Sequence, residues 1–295
     1  MALALVVTRT KNRPLLLERA ITSVIAQTYL NWKHVVVNDG GDPLPVKRLI
    51  EKYADAYKGR VQTIHNPSSV GMEAASNIGI RSADSEFILI HDDDDSLAPE
   101  FLERTVSYLA SPPYPTIQGV CTWANQVTEV IDGDNVNQTQ SRIFRDPRGA
   151  LSIADIAGAN PIPPISFLFR RSATEQIGLF DETLPVLGDW EFLIRFLSQF
   201  DVGVIPEPLA NYHLRPSSTG SSANSITDRS ERFELLTKII RNRYAREQSK
   251  SALGVILQLS EPMRRVQRIY SHPILGRIIR LWSKFINPDI PKSPF

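Results

Sequence analysis

The sequence predicts an α/β protein with a mostly parallel central sheet flanked by helices, and with a helical C-terminal extension. Short β-rich runs alternate with helical patterns through the first hundred residues, which is typical of parallel βαβ units. Polar residues directly follow several of these runs, and ligands of such sheets bind beyond the carboxyl ends of the strands. From residue 227 onward the pattern is helical and increasingly basic.

The first half contains four predicted strands, separated by segments with helical spacing of apolar residues. The strands are predicted over residues 2–7, 33–37, 61–65 and 87–91. The intervening helices are predicted over residues 15–27, 46–57 and 73–81.

The second half is mixed, and it begins with a helix followed by a hairpin. The hairpin includes residues 119–130 and turns at Asp132-Gly133-Asp134-Asn135. The remaining predicted elements are a helix over 101–109, strands over 165–169 and 202–205, helices over 172–177 and 190–200, and a Ser-, Gly- and Pro-rich loop over 215–225. We therefore divide the chain into residues 1–220, with halves meeting near residue 100, and an extension over 221–295.

Composition excludes several classes of protein. The 295 residues are 42% hydrophobic and 22% charged, which indicates a globular chain, and the net charge of +1 does not favour a nucleic-acid partner. The single cysteine, Cys121, excludes an intramolecular disulfide, and its apolar neighbours predict a buried thiol. With no secretory signal and no apolar stretch near 18 residues, we expect a cytoplasmic protein whose Asn137 sequon carries no glycan.

Four consecutive aspartates, Asp92–Asp95, follow the fourth predicted strand. Carboxylates crowded at one strand end repel each other unless a cation is present. Their oxygens suit Mg²⁺ or Mn²⁺, and Asp92 and Asp94 would project to the same side of an extended chain. In the alternative interpretation, Asp95 or Ser96 caps a helix near Pro99, which accounts for one aspartate and not for four.

Two further aspartates occupy positions where a carboxylate could bind or catalyse. Asp39 ends the second strand before two glycines, where it could accept hydrogen bonds from a nucleobase N–H or a ribose hydroxyl, or could simply be a turn residue. Asp189 begins an amphipathic helix and could be its N-cap, a role compatible with catalysis. A helix N-terminus would lower the pKa of Asp189, whereas burial near Trp190 would raise it.

Five segments of the chain occur together in the order found in a known enzyme family. They are residues 6–14 with 20–28, 35–40, 71–79, 91–95, and 178–182 with 188–195. Together they resemble glycosyltransferase family 2, over residues 3 to about 219. The resemblance implies a GT-A-type fold. It also implies metal-dependent, inverting transfer of a sugar from a nucleotide-diphosphate donor, with UDP favoured, to an acceptor hydroxyl.

The resemblance also implies roles for matching positions. The positions implied at the nucleotide and donor are Thr8, Arg9, Thr10, Asp39, Asn77, Asp92, Asp93 and Arg215. Asp94 and Asp92 would bind Mn²⁺ or Mg²⁺, with His213 as a further ligand, and the metal would neutralise the departing diphosphate. Asp189 would be the base that deprotonates the acceptor hydroxyl, and one such base suffices for inversion.

Three positions depart from the family's pattern. Gly188 stands where the family often has Glu, and Ser76 stands where it has Arg. The family's Tyr-Arg-x-His is here Tyr212-His213-Leu214-Arg215, with the basic residues exchanged. His213 could therefore pack or hydrogen-bond instead of binding metal, and Arg215 could pair with the diphosphate because guanidinium suits phosphate oxygens.

Three other functions compete with sugar transfer. A nucleotidyltransferase typically carries a glycine-rich basic loop after its first strand, whereas residues 8–14 contain no glycine. A non-catalytic nucleotide-sugar-binding module would be favoured by loss of the D-x-D or base aspartate, and both are present. An aspartyl phosphatase places its D-x-D after the first strand, not the fourth.

Residues 263–286 predict a basic amphipathic helix. Apolar residues including Trp282 fill one arc, and Arg277, Arg280 and Lys284 lie on the other. Such a helix is typical of an anionic lipid interface, which would suit a saccharide acceptor linked to a lipid. The alternative is that this stripe packs on the catalytic domain, on another subunit or on a separate partner domain.

Overall fold

The structure is a computed structural model that describes residues 3–133, 135–216, 224, 231–247, 259 and 277. The chain forms two compact units, Met1–Lys238 and Ile239–Phe295. No helix among the described residues is long and apolar enough to cross a membrane. The loop predicted over 215–225 and the amphipathic helix predicted over 263–286 fall outside the described residues, apart from Arg215, Pro216, Asn224 and Arg277.

Strands and helices alternate along the first unit. The strands are β1 (Ala4–Thr10), β2 (Trp32–Asp39), β3 (Val61–Asn66), β4 (Phe87–Asp92), β5 (Ser96–Leu97), β6 (Ile117–Asp132), β7 (Asn135–Ile143), β8 (Phe167–Arg170) and β9 (Asp201–Leu214). The helices are α1 (Pro14–Ile25), α2 (Pro43–Lys52), α3 (Ala54–Tyr57), α4 (Met72–Arg81), α5 (Phe101–Ala110), α6 (Ile153–Gly158), α7 (Ala173–Ile177) and α8 (Gly188–Leu197). A further helix, α9, spans Glu231–Glu247.

The described strands form one sheet in the order β3-β2-β1-β4-β8-β6-β9-β5, and β7 pairs with β6. Strands β1 to β4 are mutually parallel. Strand β8 is antiparallel to both β4 and β6, whereas β9 is parallel to β6. The predicted α/β class is confirmed, and the parallel order belongs to the first half while the second half is mixed.

The inner strands are covered on both faces, which explains their sequences. Val6 and Val7 of β1 and Ile88 and Leu89 of β4 are fully buried. The sequence of a strand that is buried on both faces is a continuous apolar run, whereas a strand with one face in solvent alternates apolar and polar residues. The same property made these strands recognisable in the sequence.

The helix predicted over 46–57 is two helices, because the local signals lie elsewhere. The side chain of Asp42 accepts a hydrogen bond from the Leu44 N–H, and Pro43 is the first residue of α2, so that helix starts before the predicted one. Tyr53 separates α2 from α3. Helix α3 ends at Tyr57, and the next residue, Lys58, has a left-handed φ of 49°.

The second half confirms the hairpin and corrects one alternative. Strands β6 and β7 pair antiparallel with Asp132 opposite Asn135. Ser96 begins β5, and the N-cap of α5 is Glu100. The interpretation of Asp95 or Ser96 as a helix cap is therefore wrong. Strand β9 extends to Leu214, nine residues beyond its predicted end at Ile205. Helix α6 was not predicted from the sequence.

The core lies between the sheet and the helices that cover it. Leu17 and Ile21 of α1 are fully buried and pack in one cluster with Trp32, Phe87 and Phe101. Cys121 is also buried, as predicted. These contacts connect α1 to the strands whose ends carry the polar residues described below.

Replacement of Leu17 by Ala should lower the free energy of unfolding by about 2–5 kcal/mol, since it removes buried methyl groups and leaves a cavity. Leu44→Ala is the matched control, because Leu44 is 57% exposed and its loss should change stability by less than about 0.5 kcal/mol. Urea unfolding of both variants measures the difference. Equal stability of the two variants would contradict the assignment of α1 to the core.

Candidate active site

The carboxyl ends of three parallel strands meet at one edge of the sheet. Strand β1 lies between β2 and β4, and its register places Arg9 opposite Asp92 and Thr10 opposite Asn38. Thr8 and Thr10 are buried, and the hydroxyl of Thr8 lies 2.8 Å from Nε2 of His34. The strand therefore turns its threonines inward and presents Arg9 to the neighbouring carboxylate.

Arg9 connects β1, β4 and α4. Its Nε and Nη2 donate to Oδ1 of Asp92 at 2.9 and 2.5 Å. Its Nη1 donates to the carbonyl of Met72 at 3.2 Å and to the hydroxyl of Ser76 at 3.1 Å. Burial alone would raise the pKa of Asp92, but the ion pair with Arg9 outweighs it and the pKa is lowered.

The four aspartates differ in exposure, and those after Asp92 lie beyond the end of β4, where the chain turns. The side chains of Asp92 and Asp94 are 26% and 10% exposed, whereas that of Asp93 is fully buried. Asp95 is fully buried as well, and its Oδ1 accepts a hydrogen bond from the His213 N–H at 2.9 Å. Asp92 and Asp94 are thus the two aspartates that keep some exposure, although Arg9 binds the first and Arg215 and Asn224 bind Oδ2 of the second. Asp95 joins the end of β4 to β9.

Several arginines converge on these acids, and together they form an acid–arginine cluster. Its members are Asp92, Asp93, Asp94, Asp95, Glu129, Arg9, Arg13, Arg19, Arg215 and His213. Arg13 reaches Oδ1 of Asp93 at 2.7 Å and Oδ2 of Asp94 at 3.4 Å. Arg215 donates to Oδ2 of Asp94 and, at 2.7 Å, to Oε1 of Glu129.

Glu129 is the inner anchor of the acid–arginine cluster. It is 2% exposed, and its Oε2 accepts hydrogen bonds from Arg19 at 2.7 Å and from His213 at 2.9 Å. Burial opposes the charge, but the hydrogen bonds from His213 and Arg19 dominate and lower the pKa of Glu129 to about 2. Glu129 therefore remains ionised and holds the Arg19 guanidinium and the His213 ring in place.

Burial has the opposite effect on Asp93 and Asp95. It raises the pKa of Asp93 to about 7, against the lowering effect of Arg13, and raises that of Asp95 well above its usual range. No described residue makes a hydrogen bond to Oδ1 of Asp93 or to Oδ2 of Asp95. The run thus contains three carboxylates in ion pairs with arginines, Asp92, Asp93 and Asp94, whereas the described partner of Asp95 is the His213 N–H.

The residues fit a divalent metal that is shared with a substrate, rather than one enclosed by the protein. Across the described residues, no three His, Cys, Asp or Glu side chains converge as a closed metal site. The accessible carboxylates of Asp92 and Asp94 are nevertheless hard oxygen ligands at a strand end. Mg²⁺ commonly takes one or two carboxylates together with substrate phosphates and water, and this pair meets that requirement.

Both ring nitrogens of His213 already have partners. Nδ1 lies 2.9 Å from Oε2 of Glu129, and Nε2 lies 3.0 Å from the hydroxyl of Ser96. Burial lowers the pKa of His213, although the bond with Glu129 opposes the effect. A metal bound by His213 would have to replace one of these two contacts.

Asp39 organises the segment before α4. Its Oδ1 accepts from Asn66 and from the Val70 N–H, both at 2.9 Å, and its Oδ2 accepts from the Ser69 hydroxyl at 2.7 Å and the Gly71 N–H at 3.1 Å. Burial raises its pKa, but these four bonds prevail and the pKa is lowered. A nucleoside reaching Asp39 would have to share or displace one of these donors.

Asn77 connects α4 to the segment before α8. Its Nδ2 donates to the Phe180 carbonyl at 2.9 Å and to Oε1 of Glu182 at 2.8 Å, and its Oδ1 accepts from the Phe180 N–H at 3.1 Å. Both polar atoms of the Asn77 amide therefore bind the segment over residues 180–182. These bonds hold the segment that leads to Asp189 against the donor half.

Asp189 is the second residue of α8, and the N-cap is Leu187 with a left-handed φ of 69°. The interpretation of Asp189 as the N-cap is therefore wrong. Its Oδ2 accepts a hydrogen bond from Asn160 at 2.7 Å, and it borders a small apolar cavity lined by Phe169, Phe180 and Phe192 among others. Burial raises its pKa, although the Trp190 N–H and Asn160 oppose the effect.

Asp189 lies within electrostatic range of Arg9 and Asp92. The pKa of Asp189 is influenced by the charges of both Arg9 and Asp92, in addition to its nearer partners. A buried carboxylate with a raised pKa is suited to accept a proton. This arrangement brings a candidate base from the second half of the chain to the strand ends of the first.

Sequence reasoning missed Arg13, Arg19, Glu129 and Asn160. Glu129 carried a weak signal, since it is the only charged residue in the strand run over 119–130. Arg13 is the N-cap of α1 and Arg19 lies within it, and arginine is common in and near helices, so neither residue is conspicuous in the sequence. Their importance depends on partners that are distant in the sequence, and no local pattern indicates such partners.

The sequence model of the family "Glycosyl transferase family 2" matches residues 5–178. The chain belongs to this glycosyltransferase family. Its GT-A-type fold follows from the same comparison and from structural neighbours.

Curated relatives are similar over most of the chain. The "Uncharacterized glycosyltransferase YwdF" of Bacillus subtilis is 22% identical over 231 residues, which are 78% of this chain and 81% of that protein. An "Uncharacterized glycosyltransferase" of Haemophilus influenzae is 27% identical over 214 residues, which are 70% of this chain and 64% of that protein. The match thus covers less than two thirds of the Haemophilus protein.

Solved structures share the fold at low sequence identity. Residues 1–349 of TarS from S. aureus give a TM-score of 0.63 at 16% identity, covering 94% of this chain and 76% of that one. The mannosyltransferase PcManGT from Pyrobaculum calidifontis, in complex with GDP-Man and Mn²⁺, gives 0.62 at 17% identity, covering 97% and 81%. At these identities the likeness concerns the fold alone.

Replacement of Asp39 by Asn should lower the free energy of unfolding by about 1–3 kcal/mol at pH 7, because one amide NH₂ would face donors instead of accepting from them. The folded-state pKa of Asp39 is below its usual value, so its ionic contribution is present above about pH 4 and is lost as the pH falls further. The gap between wild type and variant should therefore narrow at pH 3.

Urea unfolding at pH 7 and pH 3 measures this gap. Asp55→Asn is the control, since Asp55 is exposed on α3 and its replacement should have little effect at either pH. A gap that stays constant between the two pH values would contradict the role given to the Asp39 carboxylate.

Proposed function

We propose that the protein transfers a sugar from a nucleotide-diphosphate sugar to an acceptor hydroxyl, with metal assistance and inversion at the anomeric carbon. The observation that carries the proposal is the buried carboxylate of Asp189 in one site with Arg9 and the accessible pair Asp92 and Asp94. A base and an anion-binding edge are the two parts that a single displacement needs.

A UDP-sugar is the proposed donor. TarS residues 1–349 form complexes with UDP and with UDP-GlcNAc, whereas PcManGT forms one with GDP-Man. The proposed nucleotide and donor positions are Thr8, Arg9, Thr10, Asp39, Asn77, Asp92, Asp93 and Arg215. Among them Arg9 and Arg215 offer guanidinium groups, which suit phosphate oxygens.

Asp94 and Asp92 are the proposed ligands of Mn²⁺ or Mg²⁺, which when bound would neutralise charge on the departing diphosphate. His213 would join them only after losing Glu129 or Ser96. Arg215 balances the charge of Asp94 in the structure, and it would lie beside the phosphates when they are bound.

Asp189 supplies the proton acceptor. The acceptor oxygen attacks the anomeric carbon, the bond from that carbon to the diphosphate oxygen breaks, and the acceptor proton passes to the Asp189 carboxylate. Asn160 keeps that carboxylate oriented through its bond to Oδ2. Because one displacement occurs on the face opposite the leaving group, the configuration of the sugar inverts.

Residues 1–220 would carry this activity, with residues 1–100 holding the donor and 101–220 the acceptor and base. A role in bacterial polysaccharide or glycoconjugate assembly is proposed, with a saccharide or lipid-linked saccharide as acceptor. The extension 221–295 would place residues 263–286 on an anionic membrane surface at the cytoplasmic face. Nucleic acid has no part in the proposal.

Replacement of Asp94 by Asn should reduce turnover on the order of 100-fold or more, since it removes a charged ligand worth several kcal/mol in the transition state. Wild type should gain thermal stability with one of UDP, UDP-GlcNAc, GDP and GDP-Man in the presence of Mn²⁺, and the variant should lose the Mn²⁺-dependent part of that gain. Asp201→Asn, at an exposed site, is the control, and unchanged turnover of Asp94→Asn would exclude the metal assignment.

Replacement of Asp189 by Asn should preserve donor binding and reduce transfer on the order of 10²- to 10⁴-fold, because the amide keeps the shape but cannot accept the proton. Calorimetric titration with the donor and a discontinuous assay of transfer separate the two effects. A variant with weak donor binding and normal turnover would show that Asp189 is not the base.

A further inference from the structure

Glu73, in the first turn of α4, is a buried acid to which the roles above assign nothing. It is 4% exposed, and no described residue donates a hydrogen bond to its Oε2. Its ion-pair partner is Nη1 of Arg9, at 3.6 Å. A buried carboxylate oxygen without a hydrogen bond is costly, and a bound ligand would relieve that cost.

Other buried carboxylates of the fold do have such partners. Arg195 donates to both oxygens of Glu191, and Asp39 accepts four hydrogen bonds. Glu129 binds two arginines and His213. Glu191, Asp39 and Glu129 are therefore satisfied within the protein, whereas Glu73, like Asp93 and Asp95 of the aspartate run, keeps a buried oxygen without a hydrogen bond.

The carboxyl group of Glu73 lies directly against the backbone of Gly188. A Cβ atom at position 188 would stand 2.3 Å from Cδ and 2.5 Å from Oε1 of Glu73. Any larger residue at this position would therefore displace the carboxyl group. The glycine allows an acid from α4 to lie beside the residue that precedes Asp189.

Glu73 thus lies between the donor edge and the proposed base. Besides burial, which raises its pKa to about 7, the charges that act on it are Arg9, which opposes the rise, and Asp189, Asp92 and Glu191, which add to it. A carboxyl group that gains and loses its proton near neutral pH can both donate and accept a hydrogen bond, as a sugar hydroxyl can.

We propose that the Glu73 carboxyl binds a hydroxyl of the sugar carried by the nucleotide-diphosphate donor, in the space between Arg9 and Asp189. The inference rests on the proposed function, in which the sugar must lie between the departing diphosphate and the base. Glu73 contacts Gly188, adjacent to the base, and pairs with Arg9 at the donor edge, so it lies next to both parts of the proposed site. It is then a group that selects the sugar and not the nucleotide.

Glu73→Gln tests the proposal, because the amide keeps the size of the side chain. Binding of UDP, GDP, UDP-GlcNAc and GDP-Man is measured by calorimetric titration in Mn²⁺. Affinity for the nucleotide diphosphate that wild type binds should stay within about twofold, while affinity for the matching nucleotide sugar should fall about tenfold, the scale of one hydrogen bond to a charged group. Glu175→Gln, at an exposed site on α7, should behave as wild type.

Gly188→Ala provides a second route to the same effect. Its added methyl group must displace the flexible end of Glu73, so the variant should show the same selective loss with little change in melting temperature. The double variant Glu73→Gln with Gly188→Ala should be no weaker than either single variant, since both remove one contact.

A wild-type affinity of Glu73→Gln for the nucleotide sugar would overturn the inference. An equal loss of affinity for the nucleotide sugar and for the nucleotide diphosphate would also overturn it, because the substitution would then act through Arg9. Additive losses in the double variant would also overturn it. These outcomes leave the proposed function standing. A wild type that binds none of the four probes would instead overturn the proposed function, and the inference with it.

Discussion

The charge balance at the end of β4 is the constraint on which the rest of the site depends. Asp92–Asp95 are brought together by one strand end, and buried carboxylates are stable only when they are paired or protonated. The arginines that pair with these aspartates come from β1, from the residue before α1 and from the residue after β9. Arg19 of α1 donates to the Asp94 carbonyl and pairs with Glu129. The ion pairs that neutralise the end of β4 therefore connect the first half of the chain with the residue after β9.

The acid–arginine cluster also prepares the site for an anionic substrate. Charges that are already oriented by neighbouring groups need little reorganisation when a ligand binds. Glu129 holds Arg19, Arg215 and His213 from the inner side, and Asp92 and Asp94 remain accessible on the outer side. Under the proposed function, the diphosphate and its metal would enter an arrangement of charge that the fold has already built.

Local sequence predicted the elements whose signals are local. The continuous apolar runs of β1 and β4 and the helical spacing of α1 identified these elements to within about three residues. The expectation that Asp92 and Asp94 project to one side assumed an extended chain, whereas the strand ends at Asp92 and a turn follows it. The N-cap alternative for Asp189 was wrong, although an acid near a helix start is typical of a cap, because the N-cap of α8 is a left-handed Leu187.

The sequence by itself determined the fold class, the order of the elements and the aspartates at the end of β4, because periodicity and turn chemistry act over a few residues. Only the tertiary structure decided which charges compensate these aspartates, since Arg13 with Asp93 and Arg215 with Asp94 are pairs across 80 and 121 residues. The same holds at Gly188, where the sequence showed only a missing side chain. Packing of α4 against α8 puts the Glu73 carboxyl in that space, and no local pattern encodes the distance between two helices.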